Sequence, residues 1–146
     1  MDYRYHLYFD GSCDPNPGGR IGCGVYILRD GKYHHSISRL YSPEKFGGST
    51  SNNLSEYTAL YLGLRYCIEN SIKDVLVYGD SNMVIRQMSG EWKIKGKKKI
   101  YYNASIETQK LLEKFNSIDF VWIPRESNSI ADALSNGEQI HIAGED

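Results

Sequence analysis

Four acidic residues of this sequence have the type and setting for metal-assisted chemistry: Asp10, Glu56, Asp80 and Asp132. Carboxylates gathered in a partly buried site repel one another and destabilise a fold unless protons or cations neutralise them. An all-oxygen, all-acidic donor set suits Mg2+, with Mn2+ as a substitute, and no accompanying His/Cys set favours zinc. Two such ions about 4 Å apart activate water and stabilise a leaving oxygen in phosphodiester hydrolysis. Each residue taken alone also has a plainer reading. Asp10 would form a turn at a strand end, and Glu56 would complete a capping box with Asn53. Asp80 would cap the helix that Ser81 opens, and Asp132 would be solvated.

Hydrophobic periodicity indicates the elements that must position these residues. Residues 3–10 alternate as a half-buried strand, and two further strands, 21–29 and 32–41, flank the hairpin signal Asp30-Gly31. An amphipathic helix is expected over about 51–70, with Leu54, Tyr57, Leu60, Tyr61, Leu64 and Ile68 on one stripe. Then follow a short strand at 74–79, helices at 81–89 and 101–115, a strand at 118–123 and a last helix at 127–136. The first three strands should form an antiparallel meander, while the first, fourth and fifth, joined by helical crossovers, should run parallel. Asp10 would then end the first strand and Asp80 follow the fourth, at the C-terminal edge where open α/β sheets place their sites. Glu56, in the first turn of its helix, would overhang the first strand, and Asp132 lies in mid-helix.

The chain has 146 residues and a formal net charge of −1, which fits one ordinary globular domain. Cys13, Cys23 and Cys67 are odd in number, lack CxxC spacing and read as reduced thiols in a cytoplasmic protein. No apolar run approaches a membrane span, and the N-terminus does not read as a signal peptide. Near-neutrality hides opposed regions. Residues 86–114 hold eight basic and three acidic side chains, whereas from Glu126 onward there are five acidic ones and no Lys or Arg. A neutral protein can therefore carry a basic stripe.

Five segments carry a resemblance: Tyr8-Phe9-Asp10-Gly11-Ser12-Cys13, Asn16-Pro17-Gly18, Ser51-Asn52-Asn53-Leu54-Ser55-Glu56, Tyr78-Gly79-Asp80-Ser81 and Ala131-Asp132. In this order, with these elements between them, they resemble the motifs of type 1 ribonuclease H. The resemblance implies a ribonuclease H-like α/β fold: a five-stranded mixed sheet, order 3-2-1-4-5 with strand 2 antiparallel, and helices on both faces. That catalytic domain would occupy residues 1–137, with a short acidic tail at 138–146. It further implies cleavage of the RNA strand of RNA/DNA hybrids by two metal ions, leaving 5′-phosphate and 3′-hydroxyl ends. Asp80 and Asp132 would bind the ion nearer the nucleophilic water, Asp10 would bridge both ions, and Glu56 would complete the quartet. Asn16, Asn52 and Asn53 fall where the family contacts the RNA minor groove and its 2′-hydroxyls. Ser51 and Asn53 match positions that cradle a phosphate of the DNA strand at a helix N-terminus; their plainer role is a polar cap.

This chain departs from the family at three places. Asn82 stands where Gln is frequent. The loop Pro124-Arg125-Glu126-Ser127-Asn128 lacks the mobile His of many members and resembles an archaeal, bacterial and plant-type branch. Arg125 and Asn128 are thereby implied to assist leaving-group or product release. The long basic handle is shortened to residues 92–99, where Lys97, Lys98 and Lys99, with Trp92, Tyr101 and Tyr102 nearby, would hold the DNA backbone rather than form a merely solvated loop. Because the first strand begins at once, no separate hybrid-binding domain is expected before it. His34, His35 and His141 read as surface residues, and Cys13 has no neighbouring base to make it a nucleophile. The expected partner is an RNA/DNA hybrid, with no obligate protein partner and a monomeric chain. A nuclease that also cuts double-stranded RNA, a catalytically weak nucleic-acid-binding module and, more remotely, an unrelated two-metal phosphatase are the alternatives.

Overall fold

Strands β1 (Tyr5–Asp14), β2 (Arg20–Arg29) and β3 (Lys32–Tyr41) form an antiparallel meander in a computed structural model that describes residues 2–140. Helix α1 (Asn52–Glu69) leads to β4 (Asp74–Gly79), and α2 (Asn82–Met88) and α3 (Tyr102–Leu111) lead to β5 (Ser117–Trp122). Helix α4 (Ser129–Ser135) closes the series. The sheet order is β3-β2-β1-β4-β5, with β4 parallel to both β1 and β5, as the crossovers require.

Leu7, Phe9, Val25, Ile27, Val75 and Val77 of the sheet cluster with Leu54, Tyr57, Leu60 and Leu64 of α1, all buried. Of the stripe expected on that helix, Tyr61 and Ile68 are only half-buried. Helices α2 and α3 pack beside α1, and α4 lies across β1, β2 and β3 on the opposite face. There Ser38 Oγ donates to Leu134 O at 2.6 Å and Ser12 Oγ to Ser135 O at 3.0 Å. Small residues let both helices approach closely: a Cβ at Gly24 would run into the Ala131 carbonyl, and one at Gly11 into the α1 backbone at Ser55 and Glu56.

Several boundaries differ from expectation, each for a local reason. β1 does not end at Asp10 but continues to Asp14, because its antiparallel pairing with β2 runs on from Gly11↔Cys23 to Asp14↔Arg20. Ser51, not Asn53, caps α1, accepting from Leu54 N at 3.2 Å, so Glu56 lies in the second turn and is no capping-box partner. Asp80 is likewise not the cap of α2; Ser81 Oγ accepts from Val84 N at 3.3 Å. The helix expected to reach residue 115 stops at Leu111, followed by a 3-10 turn over Leu112–Lys114. His34 and His35 are half-buried rather than superficial: the His35 ring stacks on Tyr66 with centroids 4.0 Å apart, and Tyr66 Oη lies 3.2 Å from His34 Nε2. His141 and residues 141–146 of the acidic tail lie outside the described residues.

Candidate active site

The pairing of β1 with β4 stops at Tyr8↔Tyr78, whereas that of β1 with β2 continues. This leaves one flank of β1 free at Asp10. Into that gap come Asp80, one residue beyond β4, and Glu56, brought in by α1, whose backbone rests on Gly11. One carboxylate oxygen from each of Asp10, Glu56 and Asp80 lies within 4.8 Å of the other two. Asp132 is not in this tight trio; it reaches the site from α4 on the other face and interacts with Asp10.

Burial and mutual repulsion dominate the electrostatics. Asp10 is 4% exposed and Glu56 8%. Burial, with the Asp80 and Asp132 carboxylates adding to it, pushes Asp10 up to about 7. Burial, then the charge of Asp10, pushes Glu56 well above the usual carboxylate range. Glu56 Oε2 is buried without a hydrogen-bond partner. An all-oxygen cluster that resists ionisation and carries an unsatisfied oxygen is short of positive charge, and a divalent cation fits it. A raised folded-state value means that the native state holds its proton more tightly than the unfolded chain. The stabilisation is therefore complete below about pH 4 and is lost as pH rises through about 7. Thermal melts in chelator should show Tm falling across that window and Mg2+ opposing the fall; a flat profile would contradict the coupling.

Around this centre the structure brings some expected residues together and separates others. Asn52 N donates to Asn16 Oδ1 at 3.0 Å, and Cys13 N donates to Asn52 Oδ1 at 3.1 Å, tying the end of β1 and the loop after it to the start of α1. Ser51 and Asn53 line an open cavity of about 440 Å3 with Met83, Lys98, Lys99, Ile100 and Tyr101. Lys97 is exposed but does not line it, and Trp92 lines another cavity with Glu91, Lys93 and Lys95. Asn82 Oδ1 accepts from Arg86 Nε at 2.9 Å, while the Arg86 guanidinium also lies over the Trp92 ring at 5.5 Å. Arg125 is exposed on the 3-10 turn over Arg125–Ser127. Asn128, by contrast, is buried against the acidic centre, with Nδ2 3.0 Å from Asp80 Oδ2.

Sequence reasoning missed Trp122 and Arg86. Trp122 Nε1 donates to Asp80 O at 3.1 Å while half its surface stays exposed. Strand register was the available signal, since Trp122 pairs with Gly79, the residue before Asp80. Arg86 reads from the sequence only as charge, although its i, i+4 spacing from Asn82 permits the contact.

A 3-2-1-4-5 mixed sheet with carboxylates converging beyond β1 and β4 defines a ribonuclease H-like protein. The chain belongs to the reverse transcriptase-like family, whose profile matches residues 9–137. It is 30% identical over 137 residues to ribonuclease HI of Halobacterium salinarum, covering 91% of this chain and 63% of that protein. It is 34% identical over 129 residues to a bifunctional protein of Mycobacterium tuberculosis, covering 87% of this chain but only 33% of that one. The chain thus spans about a third of the mycobacterial relative's length. Among solved structures, LC11-RNase H1 in complex with an RNA/DNA hybrid superposes with a TM-score of 0.75 at 34% identity, over 92% of this chain and 95% of that one. None of the described helices is long and apolar enough to cross a membrane.

Proposed function

We propose that this chain is an endoribonuclease that hydrolyses the RNA strand of RNA/DNA hybrids. The observation that carries the reading is the acidic trio of buried Asp10 and Glu56 with half-buried Asp80, whose carboxylate oxygens lie within 4.8 Å of one another at the edge of a ribonuclease H-like sheet. Asp10, Glu56, Asp80 and Asp132 are the residues that would hold Mg2+, with Mn2+ able to replace it. When bound, two such ions supply Lewis acidity toward water and toward the scissile phosphate, consistent with 5′-phosphate and 3′-hydroxyl products.

The chain's own groups bind and orient the duplex. The Oδ1 atoms of Asn16, Asn52 and Asn82 each accept one hydrogen bond within the protein, which anchors the amides while their NH2 groups can donate to acceptors such as the ribose 2′ oxygen. Ser51, Asn53, Lys98 and Lys99 share one cavity and suit a phosphate of the DNA strand. Lys97 and Trp92 extend this surface. Three cysteines, all free and buried, support a reducing, cytoplasmic setting.

The test is incubation of the purified chain with matched RNA/DNA, RNA/RNA and DNA/DNA duplexes in Mg2+, Mn2+ or chelator. Metal-dependent cutting of the hybrid RNA strand is expected, and its absence would sink the reading; cutting of RNA/RNA would widen the substrate class. Replacing Lys97, Lys98 and Lys99 together by Ala should raise KM roughly tenfold at physiological salt and flatten the salt dependence of binding, because each phosphate contact contributes about 0.9 to the logarithmic salt slope. An unchanged slope would return those lysines to the role of a solvated loop.

A further inference from the structure

We propose that Asn128 is a positioning residue that sets the Asp80 carboxylate in place for cation binding; the inference rests on the nuclease reading above. Asn128 occupies the N-cap position of α4, where an Asn side chain ordinarily accepts from the helix backbone, yet it makes no cap hydrogen bond. Instead its single amide nitrogen makes two long-range bonds. Nδ2 donates to Phe9 O at 2.9 Å and to Asp80 Oδ2 at 3.0 Å. Phe9 immediately precedes Asp10, so one NH2 group bridges the strand bearing Asp10 and the residue leaving β4.

The bridge is protected and directional. Asn128 is 2% exposed, and its Oδ1 is buried without a hydrogen-bond partner. A buried carbonyl oxygen left unpaired is costly, so the amide is oriented for its donors rather than for its own full satisfaction. Trp122 Nε1 holds the Asp80 main chain through its carbonyl at 3.1 Å, so backbone and carboxylate are braced from different elements. A neutral donor suits the task. Lys or Arg here would compete with a cation for the carboxylates, and Asp would present oxygens to two acceptors. Asn128 thus acts through Asp80 and touches neither strand of the duplex in this scheme.

The experiment compares wild type, Asn128→Asp, Asn128→Ser, Asp80→Asn and the Asn128→Ser/Asp80→Asn pair, all in the full chain. Mn2+ affinity is measured by calorimetric titration without nucleic acid, Tm by calorimetry in chelator, and kcat and KM on an RNA/DNA hybrid in Mg2+. Asn128→Asp is nearly isosteric and exchanges donors for acceptors; Asn128→Ser removes the amide without adding charge and decides the matter if the first variant does not fold. Expected are a Mn2+ Kd raised about tenfold or more and a comparable fall in kcat, with KM for the hybrid changed less than about twofold. In the Asp80→Asn background, Asn128→Ser should change the Mn2+ Kd less than about twofold, since its route is already cut. Wild-type Mn2+ affinity in Asn128→Ser, or an undiminished effect in that background, overturns the inference. A wild-type chain that leaves the hybrid intact overturns the nuclease reading instead, and the Mn2+ titration still decides the role of Asn128.

Discussion

Asp10→Asn is expected to abolish cleavage of the hybrid and, in the same molecule, to stabilise the metal-free fold. The loss should reach roughly three orders of magnitude, because ~4 kcal/mol of lost transition-state stabilisation corresponds to that factor. The gain has a separate cause. Asp10 is nearly fully buried and faces the Glu56, Asp80 and Asp132 carboxylates, so an isosteric amide removes repulsion and leaves the packing intact. About 1 kcal/mol of relief would raise Tm in chelator by roughly 2–4 °C for a chain of this size. The same substitution should remove most of the Tm increase that Mn2+ confers on the wild type. Paired melts in chelator and in Mn2+, with a cleavage assay, check all three effects; near-wild-type turnover would refute the site.

Gly11→Ala is expected to be strongly damaging to both the fold and the site. Its Cβ would collide with the Ser55 carbonyl group and Glu56 N, which are helix backbone and have no rotamer by which to yield. Either α1 lifts from β1 or β1 bends, at a cost of about 3 kcal/mol. Because the displaced backbone carries Glu56, cleavage should fall even at temperatures where the variant stays folded. Gly63→Ala is the control. There the nearest atoms are side-chain tips, Leu7 Cδ1 at 3.0 Å and Val25 Cγ1 at 3.2 Å, which can shift. Urea melts of both variants test the contrast, and equal destabilisation would show that α1 rides on the sheet less rigidly than described.

Topology was legible in the sequence because crossover geometry constrains it. Once helices separate the fourth and fifth strands from the first, parallel pairing and the position of the first strand follow. The convergence of Asp10 and Asp80 was legible for the same reason, although the premise that Asp10 ends its strand was wrong. Residues 11–14 are Gly, Ser, Cys and Asp, too small or polar to show alternation, and only their pairing with β2 makes them strand. Local chemistry misled at the helix starts, where Ser51 and Asn53 are equally good caps by type and only geometry selects Ser51. Asn128 marks the deeper limit. Its partners lie 119 and 48 residues away in sequence, and no local pattern announces a bridge of that span. The grouping of Lys98 and Lys99 with Ser51 and Asn53 likewise depends on the loop before α3 lying beside the start of α1.

The reluctance of Asp10 and Glu56 to ionise makes the site an exchanger. At neutral pH a divalent cation entering it displaces protons into the solvent, so its heat of binding will differ between buffers of different ionisation enthalpy. Acid then acts as a direct competitor of the metal. Over the range in which the acid pair gives up its protons, apparent cation affinity climbs with pH while the pair's proton-held contribution to stability declines, so the site supports the metal-free fold least where it binds the cation best.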